Sequence, residues 1–169
     1  MKQLTKIILF LVVALPFLVT SCIKEDQYPI EPIIEYQGFA TLTDLNNHDS
    51  LGQITISYTD GDGDIGLYDY DTIEPLKYNF YLKFFSQKNG QPVELIPADP
   101  SLGFNARIPI LTPSGKNKNI KGEISFDLEL YYAWSLLESD TISFEVYIKD
   151  RAQHISNIVK TPQYIIRRP

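Results

Sequence analysis

The chain has 169 residues, a formal charge of −6, a single cysteine and two histidines. This acidic balance disfavours nucleic acid and anionic lipid as electrostatic partners and suits cations. One thiol excludes an intrachain disulfide and any cysteine-cluster metal site.

At the amino terminus Met1, Lys2 and Lys6 lead into an apolar run at 7–19, and no acid precedes Glu25. That charge-then-apolar order is the order of an export signal. The run of 13 residues is shorter than the roughly 20 that a helix needs to cross a bilayer, and Pro16 interrupts it. Cleavage is therefore expected in place of a retained membrane span.

Immediately after the run stands Leu18-Val19-Thr20-Ser21-Cys22. This segment resembles the bacterial lipobox, in which apolar and small residues precede a cysteine that is acylated and becomes the new amino terminus. The resemblance implies a signal peptide at 1–21 and lipid on Cys22. Each buried methylene contributes about 0.8 kcal/mol, so several acyl chains hold a protein firmly to a membrane. Lipidation also removes the only thiol from any other chemistry. The mature chain keeps 148 residues, and loss of Lys2 and Lys6 takes its formal charge from −6 to −8.

Next comes Ile23-Lys24-Glu25-Asp26-Gln27, which resembles the surface-export signal of Bacteroidetes lipoproteins and implies the outer face of the outer membrane. A solvated linker would read the same way. With Pro29 and Pro32, residues 22–34 are expected to form an extended tether, followed by one domain at 35–169.

Inside the domain, hydrophobic alternation of period two dominates. The strongest expected strands are 54–59, 124–132 and 142–149, with weaker ones at 37–43, 78–86, 92–96, 106–111 and 155–161. Turn-forming clusters at Asn46-Asn47, Lys88-Asn89-Gly90 and Pro113-Ser114-Gly115 separate them. Only 133–138, containing Trp134, has the makings of a helical turn. Seven to eight short strands imply an all-β fold, an antiparallel immunoglobulin-like β-sandwich.

One loop stands apart: Asp60-Gly61-Asp62-Gly63-Asp64-Ile65-Gly66-Leu67, followed by Asp69 and Asp71. Alternating carboxylates and glycines suit a loop wrapped around a hard cation such as Ca²⁺, which takes six to eight oxygen ligands. Counted as an EF-hand, the loop puts Ile65 where glycine is required and Asp71 where a bidentate glutamate is usual, so that motif is rejected. If strands 54–59 and 142–149 run the same way, Asp60 and Asp150 leave the sandwich at one pole. Asp150 or the Asn157 carbonyl then completes a Ca²⁺ site with Asp60, Asp62 and Asp64. Alternatively, Arg151 clamps one of those acids without a metal, or the segment is a solvated turn.

Other chemistry is sparse. His48 and His154 both fall in polar turns, and no nucleophile elbow or phosphate loop occurs. Tyr68 and Tyr70 flank Asp69 beside the acidic loop and form a candidate ligand platform for a sugar. Asp49-Ser50-Leu51, Asp71-Thr72-Ile73 and Asp140-Thr141-Ile142 resemble the acceptor tripeptide of Bacteroidetes O-glycosylation, which would make Ser50, Thr72 and Thr141 acceptors.

The terminal segment Phe144-Glu145-Val146-Tyr147-Ile148-Lys149-Asp150-Arg151-Ala152 is similar to the last hairpin of bacterial immunoglobulin-like modules. Gln153 and His154 replace the Gly-Asn of that pattern, and Phe144 stands where many sandwiches place a corner tyrosine. The chain as a whole resembles small Bacteroidetes surface lipoproteins. That resemblance implies location and fold more than activity; with so little reactive chemistry in the sequence, the expected function is a lipid-anchored, non-enzymatic binding or structural module of the cell envelope, with an accessory glycan-binding lipoprotein as the alternative.

Overall fold

A computed structural model describes residues 27–99, 103–111 and 119–169. The export signal and Cys22 lie outside the described residues. Among the described residues, eight strands form two antiparallel sheets: β1 (Ile33–Thr43), β2 (Asp49–Asp60), β3 (Phe80–Lys88), β4 (Gln91–Glu94), β5 (Ile120–Glu129), β6 (Thr141–Ile148), β7 (Val159–Lys160) and β8 (Tyr164–Ile165). One sheet has the order β1-β2-β5, and the other runs β4-β3-β6-β7 with β8 also pairing β6. This is the strand order of an immunoglobulin-like sandwich that, among the described residues, lacks a fourth strand beside β5.

Alternation explains the core directly. In β2 the side chains of Ile54, Ile56 and Tyr58 are buried on one face, while Gln53, Thr55 and Ser57 lie on the other. In β6 the inward face carries Ile142, Phe144, Val146 and Ile148. Phe144 meets Phe39 across the sheets and its cross-strand neighbour Phe84 within its own, with ring centroids 5.2 and 4.8 Å apart. Tilted contacts of this kind add to the free energy gained by burying the rings.

Four sequence expectations need correction. The expected strand at 124–132 stops at Glu129, and Leu130–Ala133 form a helical turn (α1) continued by a 3₁₀ turn at Trp134–Leu136. Leu130 and Ala133, three residues apart, are both buried, so helical spacing closes the end of the core where strand spacing would expose one of them. Residues 106–111 make only isolated bridges, Phe80 to Ala106 and Leu67 to Pro109. Pro109 has no N–H to give a ladder. Of 155–161, only Val159–Lys160 is a strand, and a further short strand, β8, follows it at Tyr164–Ile165.

The fourth correction concerns the tether. β1 begins at Ile33 and Ile34 is fully buried, so the sandwich starts before residue 35. Upstream of the strand, the Tyr28 N–H donates to Asn119 Oδ1 at 3.2 Å, and the Pro29 carbonyl accepts the Gly61 N–H at 2.7 Å. Residues 28–30 are a strap laid against the aspartate loop.

Candidate functional site: an aspartate pole

Strand alternation delivers the first acid. Asp60 follows Ile54, Ile56 and Tyr58 on the inward face of β2, and its side chain is completely buried. Asp150 occupies the equivalent place one step beyond Ile148 of β6 and is buried to the same degree. Two strands that run in the same direction thus each end their core-facing register with a carboxylate, at one pole.

The loop then folds back over Asp60. Its Oδ2 accepts the N–H groups of Asp64 at 2.9 Å and Ile65 at 3.2 Å. Ile65 and Leu67 plunge into the core, and the Leu67 N–H donates to the Ile108 carbonyl at 2.9 Å. An isoleucine at the sixth loop position is therefore a structural plug, which is why the EF-hand pattern fails there. Asp71, at the twelfth position, accepts the Tyr68 N–H at 2.9 Å and caps its own turn. Gly66 has φ of +110°, and a Cβ there would lie 2.4 Å from the Pro109 carbonyl oxygen. Only glycine fits this crossing.

Asp60, Asp62 and Asp64 converge. One carboxylate oxygen of each lies within 4.8 Å of the others. Oδ1 of all three is buried and lacks a hydrogen-bond partner. Burial, and then the adjacent Asp62 carboxyl, push the Asp60 carboxyl up to about 6. Burial also raises Asp64, helped by the fields of Asp150 and Asp62. Three converging acids, each with an unanswered buried oxygen, are an unstable arrangement unless a proton or a cation sits among them. Ca²⁺–oxygen distances of about 2.3–2.6 Å place two ligands of one ion at most about 5 Å apart, and this triad meets that limit.

Asp150 serves differently from expectation. Its Oδ1 accepts the His154 N–H at 2.8 Å and its Oδ2 lies 2.7 Å from His154 Nδ1, so both oxygens hold the 149–157 hairpin. The Asp150 hydrogen bond and charge raise the His154 pKa. Asn157 likewise has its carbonyl engaged by Ser156 Oγ at 2.8 Å, while its side chain ties down both backbone groups of Ile34. Contact between the two loops comes instead through Asp64, whose Oδ2 accepts the Ala152 N–H at 3.1 Å.

Arg151 does cross to the aspartate loop, but it grips backbone. Its Nη1 donates to the Gly66 carbonyl at 2.9 Å, and the guanidinium lies 5.2 Å from the Tyr68 ring centroid. Tyr68 and Tyr70 are exposed and stack on each other at 5.0 Å and 7°. Arg107, which the sequence did not single out, knots the same loop: its guanidinium donates to the carbonyls of Tyr68, Asp71, Leu76 and Lys77. No local pattern marks it, because its partners are carbonyls some thirty to forty positions away in the chain.

His48 is at the opposite pole, 3.4 Å from Asp44 and edge-on to Trp134. Among the three glycosylation candidates, Thr72 is exposed in a loop, whereas Ser50 and Thr141 are half-buried in β2 and β6. Comparison of the chain with protein-family models, with curated proteins and with solved structures finds no match. The described residues contain no helix long and apolar enough to cross a membrane.

Proposed function

We propose that the protein is a lipid-anchored, non-enzymatic module of the bacterial cell envelope, held to the outer membrane through Cys22, with a Ca²⁺ ion fixing the pole of its sandwich. One observation carries the calcium reading: three buried, unpartnered carboxylate oxygens on Asp60, Asp62 and Asp64. A divalent cation neutralises their repulsion and supplies the partner each oxygen lacks. Asp64 then passes that rigidity to the 149–157 hairpin through Ala152. The lipobox-like Leu18-Val19-Thr20-Ser21-Cys22 supports the anchor.

Two measurements test this reading. Titration calorimetry of the mature domain with Ca²⁺ is expected to show stoichiometric binding that Asp60→Asn abolishes; no heat at millimolar Ca²⁺ rejects the ion. Fractionation of cells producing the Cys22→Ser protein is expected to show release from the membrane; unchanged membrane retention rejects the anchor.

A second reading is an accessory glycan-binding lipoprotein, favoured by the Tyr68–Tyr70 stack beside the acidic loop. Aromatic faces bind the apolar faces of sugars, and Tyr70, 76% exposed, offers one. Neighbouring genes for polysaccharide uptake would support it.

A further inference from the structure

The strap at residues 28–30 decides which end of the domain is near the anchor. β1 pairs antiparallel with β2 so that Ile33 lies opposite Thr59. Pro29 is bonded to Gly61. The chain therefore enters the sandwich at the aspartate pole. From Cys22 to Tyr28 is six residue steps, which span at most about 20 Å however they run. β2, with its 12 residues from Asp49 to Asp60, is about 40 Å long. The turn at 44–48 closes the opposite pole, and the leash is too short to bring the anchor there.

Among the acids of that near pole stand five exposed apolar or aromatic side chains. Ile30 follows Pro29 on the strap, and Tyr68, Tyr70 and Ile73 project from the loop that joins β2 to β3. Ile155 adds a fifth group from the hairpin after β6. All five are exposed, Tyr70 and Ile73 by about three quarters (76% and 77%). Arg107 and Arg151 hold the backbone of the tyrosine loop, so the side chains stand on a fixed base.

We infer that this pole docks onto the bilayer that carries the protein's own lipid anchor, with Tyr68 and Tyr70 at the headgroup level and Ile30, Ile73 and Ile155 dipping into the interface. The inference rests on lipidation of Cys22, as proposed above. Tyrosine rings favour the headgroup region, apolar side chains the layer beneath it. A charge of −8 on the mature chain disfavours attraction to anionic headgroups as the driving force, and Glu31, Asp69 and Glu74 lie on the same pole. Docking is thus apolar and insensitive to salt. A short leash makes it intramolecular, with an effective concentration on the order of millimolar, so weak insertion is enough.

The test uses the full lipidated protein in phosphatidylcholine vesicles. Acylation blocks Cys22, so a new cysteine can be labelled alone with an environment-sensitive fluorophore, at Tyr70→Cys, Ile73→Cys or, on the far pole, Leu45→Cys. A lipid quencher at headgroup depth is expected to quench the labels at 70 and 73 several-fold more than the label at 45, equally in low and high salt. Equal quenching at all three sites, in protein that floats with the vesicles, overturns docking and leaves the anchor standing. Failure of the wild-type protein to float overturns the anchor and the docking with it. Shielding of the label at 70 by added polysaccharide, with no quenching by lipid, overturns docking and assigns the tyrosines to a glycan.

Discussion

Asp49 and Arg167 close the domain at the pole opposite the strap. Each backbone N–H reaches the other residue: Asp49 donates to the Arg167 carbonyl at 2.7 Å, and Arg167 donates to Asp49 Oδ2 at 2.7 Å. The Arg167 guanidinium adds a bond to Asp49 Oδ1 at 3.1 Å. The carboxylate is buried and Arg167 half exposed. Burial opposes ionisation of Asp49, but the Arg167 bonds and the Thr41 hydroxyl outweigh it and hold the pKa below its usual value.

Asp49→Ala is therefore expected to cost about 2–3 kcal/mol in urea unfolding, since it strands Arg167 and unpins the segment after β8. The pH dependence has a definite sign. A lowered folded-state pKa means that Asp49 contributes its full share above an unfolded value of about 3.9. That share is lost as pH falls through the lower folded value. Wild-type stability should drop in this acid window, and the Asp49→Ala protein should show a shallower drop.

Calcium should stabilise the domain in a concentration-dependent way. At about 100 times its dissociation constant, a ligand selective for the folded state adds about 2.7 kcal/mol, which for a domain of this size raises Tm by roughly 5–10 °C. Asp62→Asn makes a sharper test, because two opposite effects are expected. It relieves repulsion on Asp60 and so raises the Tm of the calcium-free domain, while it removes the Tm increase on adding Ca²⁺. Differential scanning calorimetry with chelator and with Ca²⁺ reads both; an undiminished Ca²⁺ shift in the variant would place the ion elsewhere.

Gly61→Ala tests the strap. A Cβ at this position would lie 2.2 Å from the Tyr28 carbonyl oxygen and 2.7 Å from that of Pro29. Both are backbone atoms, so the segment itself must move. Limited proteolysis is expected to cut near residues 27–33 in the variant and to spare the wild type, with a stability cost of about 1–3 kcal/mol.

Phe144 stands where many sandwiches carry a corner tyrosine, and its neighbours explain the difference. The ring is buried against Phe39 and Phe84, within an apolar core. Phe144→Tyr should destabilise by about 1–3 kcal/mol by placing a hydroxyl there. Phe144→Ala should cost about 3–5 kcal/mol through the cavity it leaves. Thermal or urea denaturation of the two variants gives the order.

Strand periodicity in the sequence was enough to locate β3 and β6 within two residues, because their inward faces carry Phe80, Leu82 and Phe84, and Ile142, Phe144, Val146 and Ile148; β2 begins at Asp49, five residues before the expected strand, where Gly52 interrupts the apolar alternation. The same periodicity, carried one step further, would have shown that Asp60 and Asp150 point inward. The roles of those two acids were not legible, since they depend on who arrives from elsewhere: His154 takes both oxygens of Asp150, and Asp62 and Asp64 crowd Asp60. At 124–132 the alternation runs on through Leu130 and Tyr132, yet the chain turns helical because the core ends there. Arg107, Asn119 and Gly61 act on segments distant in sequence or through backbone contacts. No motif announces such partners.

The way β1 leaves the strap also determines how the sandwich bears load. A pull at the amino-terminal end of the domain runs along the axis of β1, while the hydrogen bonds from Ile33 to Thr43 against β2 lie across that axis. The rungs are then strained together in shear and cannot peel one after another. Drag on the body of the domain, with its first strand held fast, therefore loads the whole β1–β2 ladder at once.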